Sequence, residues 1–296
     1  AGSAQDPPGL EGLAALTGRA LLEGSFGDPA SPVTKERLAE LTRRWGGGAL
    51  PAAAAAKETT VFSMTVPREA LTEYAETVLG PLFSRPLFSA PEVERVKAEL
   101  LEGLRSLRLE HIEASGLQAI EDWLHEGTAY GHPDAGTERG LHAADPAAVR
   151  SFFRAWYRPS NIVVAVSSRD PAVADILRKA LGSDRDAVAP WRPVPGPAQA
   201  SVPEAVVVAV PGARSTGLHA AFPLGVGRGH PDFWPLYTAN VWFGAHRDSF
   251  SHLYHVLREE RGYNYGDYSY IENFEGRPFN LFPPPNAPRR RQLFSV

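Results

Sequence analysis

The chain has 296 residues, of which 43% are hydrophobic and 22% are charged, as is typical of a globular protein long enough for two domains. Its formal net charge of −4 excludes a strong general attraction to nucleic acid or anionic lipid. The sequence has no cysteine, which excludes disulfides and thiolate metal sites but leaves open both a bacterial periplasm or cell envelope and the cytoplasm. No apolar run reaches the ~20 residues of a membrane span, so we expect none.

The first part of the sequence alternates helix patterns with short strand patterns. Apolar residues recur at helical spacing in Gly12–Gly24, Pro32–Trp45, Pro67–Phe83, Pro91–Leu109, Gly116–Gly127, Pro146–Trp156 and Ala172–Leu181. Two runs between these helices, Thr59–Val66 and Ile162–Ser167, are typical of strands. We therefore predict a first α+β domain over residues 1–188.

A proline cluster follows and separates a second unit. Four prolines within Ala189–Pro203 predict an extended, semi-rigid linker over 189–203. The second domain, 204–296, is predicted to contain strands at Glu204–Val210 and Thr216–Phe222, and helices at Pro231–Phe243 and Phe250–Glu260.

The end of that last helix is the most informative stretch. Gly262 lies just past the predicted helix end, where a left-handed conformation is accessible at low cost only to glycine. Tyrosines then recur at every second position, which predicts a strand over Tyr263–Tyr270 with a bulge at Gly266–Asp267.

Arg258 and Tyr265 are the candidate catalytic residues of this stretch. They are separated by a helix end and a turn, a geometry that can bring both side chains to one edge of a sheet. There an arginine can orient a peptide carbonyl, and a tyrosine hydroxyl can donate to a developing oxyanion. The residues alone leave the alternative that both side chains only pack.

Three other patterns in the sequence resemble sites. His252, His255 and Glu259 share a helical face and could bind a metal, but no fourth ligand is evident. The glycine-rich segment Gly225–Gly229 lacks the lysine and serine of a phosphate loop, so a flexible connection is favoured. No GxSxG element accompanies the serine, histidine and aspartate residues.

The segment Leu257–Tyr265 resembles the LRExRGxxY segment of the M16 metallopeptidases, the family of insulinase, pitrilysin and the mitochondrial processing peptidase. Tyr130–Pro133 and Tyr157–Asn161 are similar to further segments of that family. The resemblance implies an α+β fold of tandem half-domains, each a mostly antiparallel sheet with helices packed on it (the LuxS/MPP-like metallohydrolase fold). It also implies that Arg258 and Tyr265 complete an active site whose zinc lies on a homologous domain.

Only the glycine spacing of the family's zinc motif is present here. In M16 enzymes the first helix carries GxAHxxEHxxxxG[ST], whose two histidines bind zinc and whose glutamate acts on its water. The glycines match in Gly12–Gly24, but the motif positions hold Ala15, Gly18 and Arg19, none of which can bind zinc. We therefore expect no metal in this chain.

The third zinc ligand of the family is a glutamate on a later helix. Glu99 or Glu102 could occupy that position, although a solvent-facing role is favoured in the absence of the histidines. The resemblance thus predicts a subunit that is inactive alone and supplies Arg258 and Tyr265, in trans, to a zinc-bearing M16 partner that cleaves peptides.

The alternative is a proteolytically inactive relative with a structural or binding role, like the M16-like core subunits of respiratory complexes. Retention of both Arg258 and Tyr265 favours the catalytic partner, because a scaffold does not need a matched pair. The element order fits the family's first repeat without its initial strands and the first half of its second repeat, so we expect the sequence to be a piece of a longer subunit.

Overall fold

A computed structural model describes residues 1–183, 204–246, 248–273 and 289–296. The predicted linker at 189–203 lies outside the described residues, so the division of the chain at the linker stays a prediction. The described residues group into two compact units, one built from Ala1–Ser106 and residues 132–183, the other from Leu107–Gly131 and the described residues from 204 onward.

Ten α-helices lie in the described residues: α1 Leu13–Glu23, α2 Lys35–Arg43, α3 Leu71–Tyr74, α4 Gly80–Ser84, α5 Ala90–Glu110, α6 Ile112–Leu124, α7 Glu138–Ala143, α8 Pro146–Trp156, α9 Ala172–Leu181 and α10 Phe233–Gly244. The strands are β1 Phe26–Asp28, β2 Ser31–Val33, β3 Ala52–Ala55, β4 Thr60–Ser63, β5 Ala221–Leu224 and β6 Gln292–Ser295. Two segments are π-helical, Ala75–Leu79 and Tyr254–Glu260.

The strands form small antiparallel sheets. Each sheet of the described chain has two strands, β1 with β2, β3 with β4, and β5 with β6. Helices combined with small antiparallel sheets confirm the predicted α+β class. Helices α8 and α9 have the predicted bounds, because their apolar residues mark one face without ambiguity.

Helix α1 lies in the core of the first unit. It packs against β3 and α8, and eight of its residues are buried. The core around it is formed by apolar side chains of α1, α5 and α8 and of the helical segment from α3 to α4, among them Leu13, Leu16, Val78, Leu82, Val96, Val149 and Phe152. The helix that corresponds to the family's zinc-motif helix is therefore fixed in place by packing over most of its surface.

A buried carboxylate caps the N-terminus of α1. The two carboxylate oxygens of Asp6 accept hydrogen bonds from the backbone N–H groups of Gly12, at 2.6 Å, and Ala14, at 2.7 Å. Free first-turn N–H groups need such acceptors, and a negative charge is favoured at the positive end of the helix dipole. Asp6 is 2% exposed, and burial raises the pKa of its carboxyl to about 7, even though both N–H donors act in the opposite direction.

The loop that contains the Tyr-Gly-His-Pro segment is tied to the same region. The buried ammonium of Lys57 donates to the backbone carbonyl oxygen of His132 and lies 3.4 Å from a carboxylate oxygen of Asp134. Asp134 in turn accepts a hydrogen bond of 2.8 Å from the Ser3 hydroxyl. These contacts satisfy a lysine that would otherwise be a costly buried charge.

Two pairs of polar side chains are fixed by hydrogen bonds in the second unit. Arg228 donates from Nε and Nη2 to the two carboxylate oxygens of the buried Glu272, at 2.9 and 3.1 Å. Asn240 of α10 and Ser269 exchange two hydrogen bonds, of 3.1 and 2.8 Å. The glycine-rich segment Gly225–Gly229 therefore contains an arginine with a fixed partner, which the sequence did not indicate.

Three predicted strands are not formed. Residues 162–167, 204–210 and 263–268 pair with no strand within the described chain, and Tyr270 makes only an isolated antiparallel bridge with Ser295. The strand predicted at Thr216–Phe222 begins instead at Ala221, where β6 becomes its partner. The physical reason is that a strand needs a neighbour for its backbone hydrogen bonds, and a period-two sequence pattern does not supply one.

Candidate functional site

The positions of the degenerate zinc motif lie on α1, within the first unit. Ala15 is 7% exposed, and Gly18 is buried. A Cβ atom added at Gly18 would lie 3.0 Å from Cγ2 of Thr60 and 3.4 Å from the hydroxyl oxygen of Tyr157. The space into which a glutamate side chain would extend is therefore already taken by the neighbouring strand and by the buried hydroxyl of Tyr157.

Arg19 replaces the family's second histidine and contacts a carboxylate. Its Nη2 lies 2.6 Å from an oxygen of Glu99, on α5, and 4.0 Å from an oxygen of Glu23. Arg95 reaches the same two carboxylates, at 2.7 and 3.2 Å, and Lys35 lies 2.5 Å from Glu23. The structure thus places two guanidinium groups, those of Arg19 and Arg95, beside Glu99, the glutamate that the sequence offers as a third zinc ligand.

These residues do not fit a zinc ion. Ala15 and Gly18 carry no donor atom, and the guanidinium of Arg19 is a permanent cation that repels a metal. Glu102 is an exposed residue of α5 with no histidine to join. In the part of the chain that the structure describes, no group of three or more histidine, aspartate or glutamate side chains could hold a metal ion.

Arg258 and Tyr265 lie in the second unit and are in contact. The guanidinium carbon of Arg258 lies 4.3 Å from the ring centroid of Tyr265. That distance is within the range of a cation–π interaction, worth ~0.5–1 kcal/mol at exposed sites. The structure therefore brings together the two residues that the sequence spacing singled out.

The turn between them explains how they meet. Gly262 adopts the left-handed conformation expected of it, with φ of 63°. Its N–H donates to the carbonyl oxygen of Arg258, and the N–H of Tyr263 donates to that of Leu257, both at 3.0 Å. These two hydrogen bonds satisfy backbone carbonyl groups at the helix end and reverse the direction of the chain. The reversal brings the ring of Tyr265 against the guanidinium of Arg258.

The tyrosine of this pair is accessible. Tyr265 is 78% exposed, whereas the Arg258 side chain is 29% exposed and has its Nε 3.5 Å from a carboxylate oxygen of the adjacent Glu259. An exposed phenol next to a positioned guanidinium offers hydrogen-bond donors to a carbonyl oxygen that approaches from outside. The chemistry that these two groups can perform is carbonyl orientation and oxyanion stabilisation.

The predicted start of the helix that carries Arg258 was wrong by two residues. The sequence predicts a start at Phe250, but the helix begins at His252, and Phe250 is 66% exposed. The hydroxyl of Ser251 accepts a hydrogen bond from the N–H of Tyr254 at 3.4 Å, so Ser251 occupies the capping position.

The histidines of this helix make other contacts. His252 stacks on Trp242 of α10 with ring centroids 5.1 Å apart, and Nε2 of His255 lies 3.2 Å from a carboxylate oxygen of Glu260. The alternative of a metal face with Glu259 therefore has no support in the described contacts.

Sequence reasoning missed one residue of this site. The guanidinium carbon of Arg258 also lies 4.5 Å from the ring centroid of Tyr254, four residues earlier on the same helix. A spacing of four on a helix brings side chains to the same face, so the signal was present in the sequence.

Comparison with known proteins gives a family match over part of the chain. Residues 143–282 match the model of the peptidase M16 inactive domain, a range that includes Arg258 and Tyr265. No curated protein matches the sequence.

No helix in the described part of the chain is long and apolar enough to cross a membrane.

Several solved structures share the fold over the full chain. The peptidase M16 inactive domain from Pseudomonas fluorescens is 22% identical with a TM-score of 0.75, and a protease from Helicobacter pylori is 15% identical with a TM-score of 0.74. A chain of complex III2 from Candida albicans is 14% identical with a TM-score of 0.65. Each likeness covers 100% of this chain, which spans 66%, 66% and 64% of the three related chains respectively.

Proposed function

We propose that this chain, whose residues 143–282 match the peptidase M16 inactive domain, is the subunit without zinc ligands of a heteromeric M16 peptidase. A homologous partner would carry the HxxEH helix and the metal. This chain would contribute Arg258 and Tyr265 and part of the wall of the chamber in which peptides are cleaved. The observation that carries the proposal is the contact between Arg258 and Tyr265 beside an exposed surface.

Helix α1 also supports the proposal that the zinc is bound by a partner subunit. Helix α1 is buried and well packed, and Arg19 pairs with Glu99 at the place where the family has a metal. A chain of this kind needs a partner for any zinc chemistry, because its own motif positions hold no ligand.

In the assembled site, the two residues would have different roles. The Arg258 guanidinium would hold the substrate backbone by hydrogen bonds to its carbonyl oxygens, in the ground state as well as in the transition state. The Tyr265 hydroxyl would donate to the carbonyl oxygen as negative charge builds on it, an interaction that is strongest in the transition state.

The experiment is a purification of the tagged full chain from native extract, followed by metal analysis and a peptide-cleavage assay. We expect an M16 chain with HxxEH in the complex, stoichiometric zinc and cleavage, with neither zinc nor cleavage for the isolated chain. An assembly that contains no HxxEH chain and no zinc would overturn the proposal in favour of a structural M16 relative.

A further inference from the structure

Arg258 makes contact with two aromatic rings, only one of which belongs to the proposed catalytic pair. Its guanidinium carbon lies 4.5 Å from the Tyr254 ring centroid and 4.3 Å from that of Tyr265. The two tyrosines differ in their surroundings, since Tyr265 is 78% exposed and Tyr254 is half-buried on the helix. Tyr254 is therefore the better fixed of the two rings.

A long arginine side chain needs such a contact to hold one orientation. Arginine loses considerable rotamer freedom when it is ordered, and its charge also attracts the adjacent Glu259, whose carboxylate oxygen lies 3.5 Å from Nε. The face of an aromatic ring attracts a guanidinium and stacks on its plane, so it restricts both position and tilt.

The local backbone places the Tyr254 ring and the Arg258 guanidinium on the same face of the helix. Tyr254 is the first residue of the π-helical segment Tyr254–Glu260, which also contains Arg258. π-Helical turns inside helices occur frequently at functional sites. Here the segment leads directly into the Gly262 turn that returns Tyr265 over Arg258.

We propose that Tyr254 is the positioning residue of Arg258, holding its guanidinium against Tyr265 so that both donors face the same substrate carbonyl region. The part that concerns substrate rests on the proposed function. The part that concerns Arg258 is a property of this chain alone. Tyr254 acts through Arg258 and is not assigned a contact with the substrate.

The first test uses the full chain without any partner and observes the Arg258 side chain by NMR. Ring currents of Tyr254 and Tyr265 should shift its Hδ and Nε–H resonances upfield. Tyr254→Leu should remove a large part of this shift and increase the mobility of the Nε–H group, whereas Tyr254→Phe should retain both properties because the ring remains. Tyr263→Leu is the matched control, since Tyr263 lies near Arg261 instead, at 6.0 Å.

The second test measures cleavage by the assembled complex. Tyr254→Leu should lower kcat/KM by roughly 10-fold, mainly through KM, because ground-state contacts of Arg258 are weakened, and Tyr254→Phe should restore it. Thermal unfolding of each variant shows that the fold is intact. An Arg258 signal unchanged in Tyr254→Leu would overturn the inference whatever the activity, while a wild-type complex that lacks zinc and cleavage would overturn the proposed function alone.

Discussion

The guanidinium of Arg258 lies against the ring of Tyr265, 4.3 Å from its centroid, although a helix end and a left-handed turn at Gly262 separate the two residues along the chain. The contact is formed within the chain itself, so a partner subunit would not have to create it. This preformed pair is what connects the fold to the proposed role in peptide cleavage, because donors that are already oriented need little reorganisation when charge develops.

The Arg19–Glu99 ion pair should contribute modestly to stability. The two side chains are 36% and 39% exposed, so solvent screens their attraction, and a double-mutant cycle of Arg19→Ala and Glu99→Ala should give a coupling of about 0.5–1 kcal/mol in the free energy of unfolding. The control pair is Arg37 and Glu40, whose side chains are 54% and 65% exposed, and its coupling should be smaller. A coupling near zero for Arg19 and Glu99 would mean that the pair does not tie α1 to α5.

Gly136 should tolerate no side chain. Its φ is 95°, and an added Cβ would lie 2.2 Å from Cα of Gly12 and 2.3 Å from the carbonyl oxygen of Glu11, both backbone atoms. Gly136→Ala should therefore lower the free energy of unfolding by about 3 kcal/mol or more, measured by chemical denaturation.

Gly127 is the matched control for that substitution. It also has a positive φ, of 74°, but a Cβ there would have no described atom within 4 Å. Gly127→Ala should cost only the backbone strain, about 1–2 kcal/mol. Equal losses for the two variants would show that the close approach of the 132–136 loop to the start of α1 is not present in solution.

The buried carboxyl of Asp6 should make stability depend on pH. Burial raises its pKa from 3.8 to about 7, so between these values the folded chain binds a proton that the unfolded chain has released. The contribution of Asp6 to the free energy of unfolding is therefore greatest below pH 3.8 and is lost as the pH rises to about 7, at no more than about 1.4 kcal/mol per pH unit.

Asp6→Asn should remove this slope. The variant also loses one of two acceptors for the α1 N–H groups, which lowers stability by about 1–3 kcal/mol at every pH. Asp145→Asn, at the start of α8, keeps Asp6 and should keep the slope. Denaturation curves between pH 4 and 8 measure the difference, and an unchanged slope in Asp6→Asn would show that another group causes it.

The elements that the sequence predicted well are those with local causes. Helix α8 is determined by Val149, Phe152, Phe153 and Trp156 on one face and by an aspartate cap. The left-handed conformation of Gly262 is determined by its position at the end of a helix. The resemblance to the M16 family, based on the 257–265 segment, is confirmed by the match over 143–282.

The elements that it predicted poorly depend on distant residues. The 162–167 run has strand composition, yet Val163 is 95% exposed and the run pairs with no described strand. The Arg19–Glu99 pair joins two helices far apart in sequence, so no local pattern indicates it. By contrast, the contact of Tyr254 with Arg258 follows a spacing of four and was available from the sequence.

The most direct test of the account is the turnover of the assembled complex with Tyr265→Phe in this chain. The ring that contacts Arg258 remains, so assembly should be intact, and only the hydroxyl proposed to donate to the oxyanion is lost. We predict that kcat falls roughly 100-fold or more with little change in KM, and that Tyr263→Phe, two residues earlier, has a much smaller effect. Equal and small effects of both substitutions in an active complex would contradict the account and leave Arg258 and Tyr265 as packing residues.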